Sequence, residues 1–451
     1  MAGAARSRHD DRVTVHLARE AASPGLSDGE LRAALTSALR SLGPRRRVLA
    51  VPPDATRHHS FAGRITELAR EHYGARLTDV LPALGTHAPM TAGELSRMFG
   101  RIPPELFRVH RFREDVETLG RIPADEVRAL SEGRVAYDWP AQVHRLVARG
   151  GHDLVLCAGQ VVPHEVAGMA GQAKLLLVGT GGKEAIDRSH YLGAVFGMER
   201  IMGRAENPVR GLFERAWARF AAGLPVVHVL TVVAPGPDGR PELRGLFVGD
   251  DDETFARAVA LSREVNITLL DRPLDKVVVF LDPAAYRSTW VGNKAVYRTR
   301  MAIADGGELV VLAPGVRRFG EDPEIDALVR AHGYRASAEV QARVARDPRL
   351  EAHLSAAAHL IHGSPEGRFR VTYCAGGLSR AEIESVGYAW GDLGAALQRY
   401  GPDRLRDGWN ELPGGERVFF VSNPGLGLWA DRARFEAIPA PPARGRSPGT
   451  P

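Results

Sequence analysis

Short polar clusters at similar places in the chain carry the residue types that do chemistry: Asp54-Ala55-Thr56-Arg57, Gly85-Thr86-His87 and Pro163-His164-Glu165, followed downstream by Ser189-His190. Histidine titrates near neutral pH, so a pair of histidines suits a base on one side of a substrate and an acid on the other. A histidine that caps a helix or closes a loop hydrogen bond is the alternative for either His87 or His164. Between His164 and His190 runs Val166-Ala167-Gly168-Met169-Ala170-Gly171-Gln172-Ala173-Lys174. Gly168 and Gly171 permit a close backbone approach to a ligand. Lys174 enters an apolar run, where partial burial would lower its pKa and make the amine nucleophilic. A lysine snorkelling from a sheet edge is the other reading.

The lysines stand out for a second reason. The chain has only four, Lys174, Lys183, Lys276 and Lys294, against 55 arginines. Where arginine is the default cation, a surviving lysine asks whether its position needs an amine that can lose a proton, or a compact point charge. Chance is the competing answer for any one of them. Lys183, in a glycine-rich turn, has no evident role, and Lys276 is expected on the surface.

These residues need elements to position them. Arg47 to Pro52 reads as a buried strand, followed by a helix from about Phe61 to Tyr73. Leu77 to Leu84 is a second strand. Thr91-Ala92-Gly93-Glu94 is a capping box that opens a helix to Phe99. Asp153 to Ala158 and Ala173 to Val178 read as third and fourth strands. Such alternation predicts a parallel α/β sheet, whose strand carboxyl ends form the crevice where ligands bind. The three clusters follow the first three strands. Pro225 to Val233 and Arg244 to Val248 flank Gly236-Pro237-Asp238-Gly239 as a hairpin. After a break near Leu270 to Asp275 a second α/β pattern begins. It has strands at Val277 to Leu281, Glu308 to Leu312, Arg368 to Cys374 and Val418 to Val421. Helices are expected over about Asn293 to Ala304, Glu324 to His332 and Ala336 to Ala345. The expected fold is α/β in two domains. A larger N-terminal parallel-sheet domain spans 1–270 and a smaller C-terminal domain 275–415. Residues 416–438 are expected to return to the first domain, and 439–451 to be a disordered tail.

Composition narrows the function. A chain of 451 residues has room for two to three domains at about 150 residues each. No stretch approaches the ~18–20 apolar residues of a membrane span. Met1 to Asp11 lacks an apolar h-region, so no secretory signal is expected. Cys157 and Cys374 make no disulfide framework and no C-x-x-C pair, which fits a cytoplasmic protein. The net charge of +5 is not gathered into runs, so neither nucleic acid nor a membrane is an expected partner. Several tempting motifs fail. Gly179-Thr180-Gly181-Gly182-Lys183-Glu184 is no phosphate loop, because Leu177 and Glu184 stand where glycine and Ser/Thr belong. Asp250-Asp251-Asp252 lacks the glycine and distal glutamate of an EF-hand. His58-His59 has no companion at metalloprotease spacing.

Taken together, Asp54-x-Thr-Arg57, Gly85-Thr86-His87, Pro163-His164-x-x-Ala167-Gly168-x-x-Gly171-x-Ala173-Lys174 and His190 resemble the lactate racemase family of nickel-pincer-nucleotide enzymes. The similarity runs from about residue 45 to about 430. It implies an active site in the cleft between the two domains. The implied cofactor is a nickel-pincer nucleotide, pyridinium-3,5-bisthiocarboxylic acid mononucleotide with nickel (Ni) bound. The implied reaction is racemisation or epimerisation of a small 2-hydroxy acid by hydride abstraction and return. On this reading His190 ligates nickel, Lys174 binds the cofactor, and His87 and His164 are the acid/base pair. Asp54, Arg57, Gly168 and Gly171 shape the cofactor pocket, while Lys294 and Trp290 meet substrate from the second domain. Cofactor-biosynthesis enzymes would be needed for activation. The chain departs from the family around the substrate. Ala88 follows His87 where arginine is expected, and His58 follows Arg57 where proline is. Trp290-Val291-Gly292-Asn293-Lys294 replaces Tyr-Gln-x-x-Lys. Losing polar contacts should change the substrate, so a 2-hydroxy acid other than lactate is expected. The rivals are a non-catalytic member of the fold that binds or carries the nucleotide or nickel, and a different enzyme on this scaffold, such as a lyase or a zinc hydrolase using His58, His59 and His87.

Overall fold

The computed structural model describes residues 15–438. The expectations for Met1 to Asp11 and for the tail at 439–451 therefore lie outside the described residues. In the first domain, β1 (Val15–Glu20), β2 (Val48–Val51), β3 (Leu77–Val80), β4 (Leu154–Gln160), β5 (Val226–Pro235) and β6 (Pro241–Gly249) form one sheet in the order β1-β6-β5-β4-β2-β3. The four strands β3, β2, β4 and β5 run parallel; β6 and β1 complete an antiparallel edge. Every residue of β2 and β4 is buried, as a sheet covered on both faces requires. Helices α1 (Asp28–Ser41), α2 (Ala62–Tyr73) and α3 (Ala92–Phe99) flank it. The Thr91/Glu94 capping box opens α3 as the sequence predicts, and Ser27/Glu30 opens α1 in the same way.

The short helix α4 (Ala173–Leu177) and the longer α5 (Lys183–Phe196) follow. The strand expected at Ala173 to Val178 is α4. A brief apolar run cannot be told from a buried helix by periodicity alone. Here Gln172 at φ +51° turns the chain, and Leu176 and Leu177 bury into the core.

In the second half, β7 (Ile267–Leu270) is followed by β8 (Leu274–Phe280), β9 (Ile303–Ala313), β10 (Arg370–Ala375), β11 (Ala389–Trp390), β12 (Gly408–Glu411) and β13 (Arg417–Val421). The second sheet has the order β11-β10-β9-β8-β13-β12, all parallel except β12. The helix expected over Asn293 to Ala304 is two shorter ones, α6 (Thr289–Gly292) and α7 (Lys294–Thr299), and the chain is in β9 from Ile303. Helix α8 (Leu354–Gly363) packs against α5 of the first domain and α7 of the second. The segment 416–438 divides: β13 stays in the second sheet, where Val418 to Val421 bury against β8. Only beyond it does β14 (Leu428–Asp431) turn back to pair with β7. Among the described residues no helix is long and apolar enough to cross a membrane.

Candidate active site

The carboxyl ends of β2, β3 and β4 open onto a cavity of about 1230 Å³, counting its mouth, which is closed on the far side by α6, α7 and α8 of the second domain. From β2 the chain enters a tight turn at Ala55–Ser60, capped by Asp54, whose Oδ1 accepts from the Thr56 amide at 3.1 Å and from the Thr56 hydroxyl at 2.5 Å. The other oxygen, Oδ2, lies 2.5 Å from Nδ1 of His87, which arrives from β3. An aspartate so held fixes the ring with hydrogen on Nδ1 and leaves Nε2 to the cavity. His164, beyond β4, is arranged in the opposite sense. Its Nδ1 accepts from the amides of Val166 at 3.1 Å and Ala167 at 3.4 Å, so the neutral ring carries its hydrogen on Nε2. In their neutral forms the two histidines thus present a bare nitrogen and an N–H donor.

Lys174 stands in the first turn of α4, and His190 in the third turn of α5. Nδ1–H of His190 donates to Ile186 O at 2.7 Å, which leaves Nε2 as the bare nitrogen. That is the arrangement of a metal-ligating histidine, whose outer nitrogen is normally held by a carbonyl or carboxylate. From the second domain come Trp290, Val291 and Lys294.

Electrostatics follow from this enclosure. Burial opposes the charge on Asp54, but His87 and Thr56 outweigh it and hold the carboxyl down at about 2. Burial likewise opposes charging His87, and Asp54 prevails, so its pKa is raised. Burial and the Arg57 guanidinium bring Lys174 and Lys294 each down to about 8. Burial, with Lys174 nearby, takes His190 to about 4 and keeps it neutral, as metal ligation needs. Burial also drives His164 well below its ordinary value.

The cavity thus gathers Asp54, Arg57, His87, His164, Gly171, Lys174, His190, Trp290 and Lys294. Gly168 is not among its walls. A Cβ there would lie 1.9 Å from Arg204 O and 2.6 Å from Asn207 Nδ2, so Gly168 serves a tight chain crossing. Gly171 reaches the cavity, but its missing Cβ faces Val161 Cγ2 at 2.9 Å rather than open space. His58 and His59 are edge to face, with His58 exposed and His59 half-buried, and among the described residues no three His, Cys, Asp or Glu side chains form a metal-binding group. Sequence reasoning missed Gln160, Tyr297, His359 and His362, which also line the cavity, and gave Glu165 there no role. The spacing His359-x-x-His362 puts both rings on one face of α8 and was a readable signal.

The fold and site define a two-domain α/β protein whose cleft holds two oppositely presented histidines, two amines of lowered pKa and a third, neutral histidine. Residues 30–201 match the family described as the lactate racemase N-terminal domain. The fold is similar to that of a Thermotoga maritima protein solved by a structural genomics consortium (TM-score 0.75, 22% identity, 90% of this chain and 98% of that one). It is also similar to the lactate racemase apoprotein of Thermoanaerobacterium thermosaccharolyticum (TM-score 0.67, 16% identity, 90% and 94%). No curated protein sequence matches the chain significantly.

Proposed function

We propose that this chain is a racemase or epimerase of a 2-hydroxy acid other than lactate, dependent on a nickel-pincer nucleotide. The observation that carries it is the meeting of His87, His164, Lys174 and His190 in one cavity, with Lys294 facing them from the second domain. The residues fit the cofactor. His190 offers a neutral, bare Nε2 of the kind nickel takes, and Lys174 an amine partly unprotonated near pH 8. Arg57 and Asp54 form the adjoining wall. When bound, the nucleotide would supply a hydride acceptor and donor.

The protein's own part is proton movement and orientation. Nε2 of His87 takes the hydroxyl proton of one antipode, and Asp54 stabilises the imidazolium formed. His164 donates through Nε2–H to the substrate on its own side. Serving as a base for the other antipode requires His164 to exchange tautomer and give up the bonds from Val166 and Ala167. Lys294 as ammonium binds the carboxylate. A carrier of the nucleotide would need no base, and the Asp54–His87 pair supports the enzyme over that alternative.

Co-expression with the family's carboxylase, sulfur-transfer and nickel-insertion enzymes should give protein that retains nickel. It should interconvert the antipodes of at least one 2-hydroxy acid in deuterated water with little solvent deuterium at the α-carbon. His190→Ala should lose the nickel and keep the circular dichroism of wild type. Failure to retain nickel under these conditions sinks the proposal.

A further inference from the structure

The second-domain wall of the cleft contains a ring whose hydrogen can be placed by counting. His359 of α8 lies over Trp290 at 4.5 Å between centroids and 36° between planes. Its Nε2 is 3.0 Å from the Tyr334 hydroxyl, which is 2.7 Å from Thr289 Oγ1. Thr289 Oγ1 in turn donates to Phe319 O at 3.0 Å. All three side chains are buried. Thr289 has one hydroxyl hydrogen and gives it to Phe319. The hydrogen between Tyr334 and Thr289 must therefore come from Tyr334. With that hydrogen spent, the contact between Tyr334 and His359 needs a hydrogen from Nε2. The reverse order, Thr289 donating to Tyr334 and Tyr334 to His359, leaves Thr289 Oγ1 and Phe319 O 3.0 Å apart with no hydrogen between them, one buried bond fewer. His359 is therefore the Nε2–H tautomer, and burial keeps it neutral, with its pKa down at about 3. Nδ1 is a fixed, bare acceptor. Among the described residues it has no hydrogen-bond partner, and it is not one of the sealed polar atoms, so it opens on the cavity that the ring lines.

We propose that His359 is a specificity-determining residue whose Nδ1 accepts a hydrogen bond from a second hydroxyl group of the substrate, so that the site takes a polyhydroxylated 2-hydroxy acid. This rests on the racemase reading above. The chemistry of the surroundings selects a hydroxyl over other groups. A second carboxylate would meet a lone pair and the Glu165 carboxylate together. An ammonium would add a cation to Arg57, Lys174 and Lys294. An alkyl or aryl arm would leave Nδ1 desolvated and unpaired. Val291, standing where the family pattern has glutamine, offers no polar side chain of its own.

The test uses nickel-loaded holoenzyme and matched substrate pairs that differ only in hydroxylation: lactate with glycerate, and 2-hydroxybutanoate with 2,3,4-trihydroxybutanoate. The hydroxylated member of at least one pair should have the higher kcat/KM, by about tenfold or more, since a site built for a hydroxyl discriminates against its absence. His359→Phe, which keeps a ring over Trp290, should erase that preference by raising KM for the hydroxylated acid alone. On the unloaded protein, ¹⁵N-histidine NMR should show His359 with a bare Nδ1 and a protonated Nε2, and Tyr334→Phe should relax that assignment. Equal rates within both pairs, an equal loss on all four acids in His359→Phe, or a protonated Nδ1 overturns the proposal and leaves the racemase reading standing. No turnover of any 2-hydroxy acid by nickel-loaded protein overturns both.

Discussion

Single side chains set the working pH of the cleft. His87 must be unprotonated to act as a base, and its pKa is raised by Asp54, so activity should climb with pH through a value above the ordinary 6.5. Lys294 must be protonated to hold a carboxylate, so activity should fall as pH rises through about 8. The expected profile of kcat/KM is a narrow bell. Asp54→Asn removes the charge that raises His87, so its acid limb should move to lower pH, with kcat down by roughly 10²- to 10⁴-fold, the range for losing effective general-base catalysis. Lys294→Arg cannot lose its proton in this range and should move the basic limb upward; a limb that stays near pH 8 would assign it to Lys174. The scarcity of lysine has the same explanation at these two positions, since an arginine could not sit near its own pKa at pH 8. The other two lysines are bound otherwise than the sequence implies. Lys276 lies between Glu416 at 2.8 Å and Glu308 at 3.2 Å, so it is a bridge between strands rather than a loose surface charge. Lys183 lies outside the cavity and reaches from α5 to the turn before α8.

That span acts at the scale of elements. Lys183 Nζ meets Asp187 Oδ2 at 2.6 Å and also donates to Ala352 O, while Asp187 Oδ1 accepts from the Ser355 amide at 3.2 Å. One buried carboxylate of α5 therefore satisfies a buried amide at the start of α8 that has no partner within the helix. The helix that carries His190 is thereby fixed to the helix that carries His359. Asp187→Ala should cost about 1–3 kcal/mol, the range for leaving buried partners unsatisfied. Thermal unfolding would record the loss, and KM should rise in the loaded enzyme because the two walls of the cleft lose their register. This contact also marks where sequence reading stops. The clusters at Asp54, His87 and His164 were legible because parallel strands deliver their carboxyl ends to one edge, and a capping box is a local pattern. The helical state of Ala173 to Leu177 was not, since five apolar-flanked residues fit either period and tertiary packing decides. Nor was α8, whose Ala-rich sequence shows no amphipathic stripe because it is buried on all sides among helices of both domains. The roles of Gly168 and Lys183 depend on contacts 36 and 169 residues away in the chain, and no local pattern encodes those.

Across the whole molecule, the halves share a large apolar core and the α5–α8 contact, and beyond these an apolar cluster and an ionic one stand side by side. Met198 and Met202 from the first half pack with Tyr297, Met301, Leu428 and Phe435. Beside them Glu199 Oε1 takes Arg300 Nε at 3.2 Å and Arg368 Nη1 at 2.9 Å. Arg368 and Arg434 then share Asp305, at 2.9 Å and 3.1 Å. The Arg300 side chain is only 7% exposed, so its charge depends on Glu199 in a way that a surface pair does not. Glu199→Gln keeps the shape and removes the charge. It should lower stability by about 1–3 kcal/mol, less than a fully buried pair loses, because Glu199 itself is 26% exposed. The apolar cluster is untouched by this change and continues to couple the halves, so calorimetry should show one transition displaced to lower temperature, with the displacement shrinking at high salt. Two separated transitions in Glu199→Gln would mean that the apolar contacts do not suffice to keep the halves in one cooperative unit without the ionic cluster.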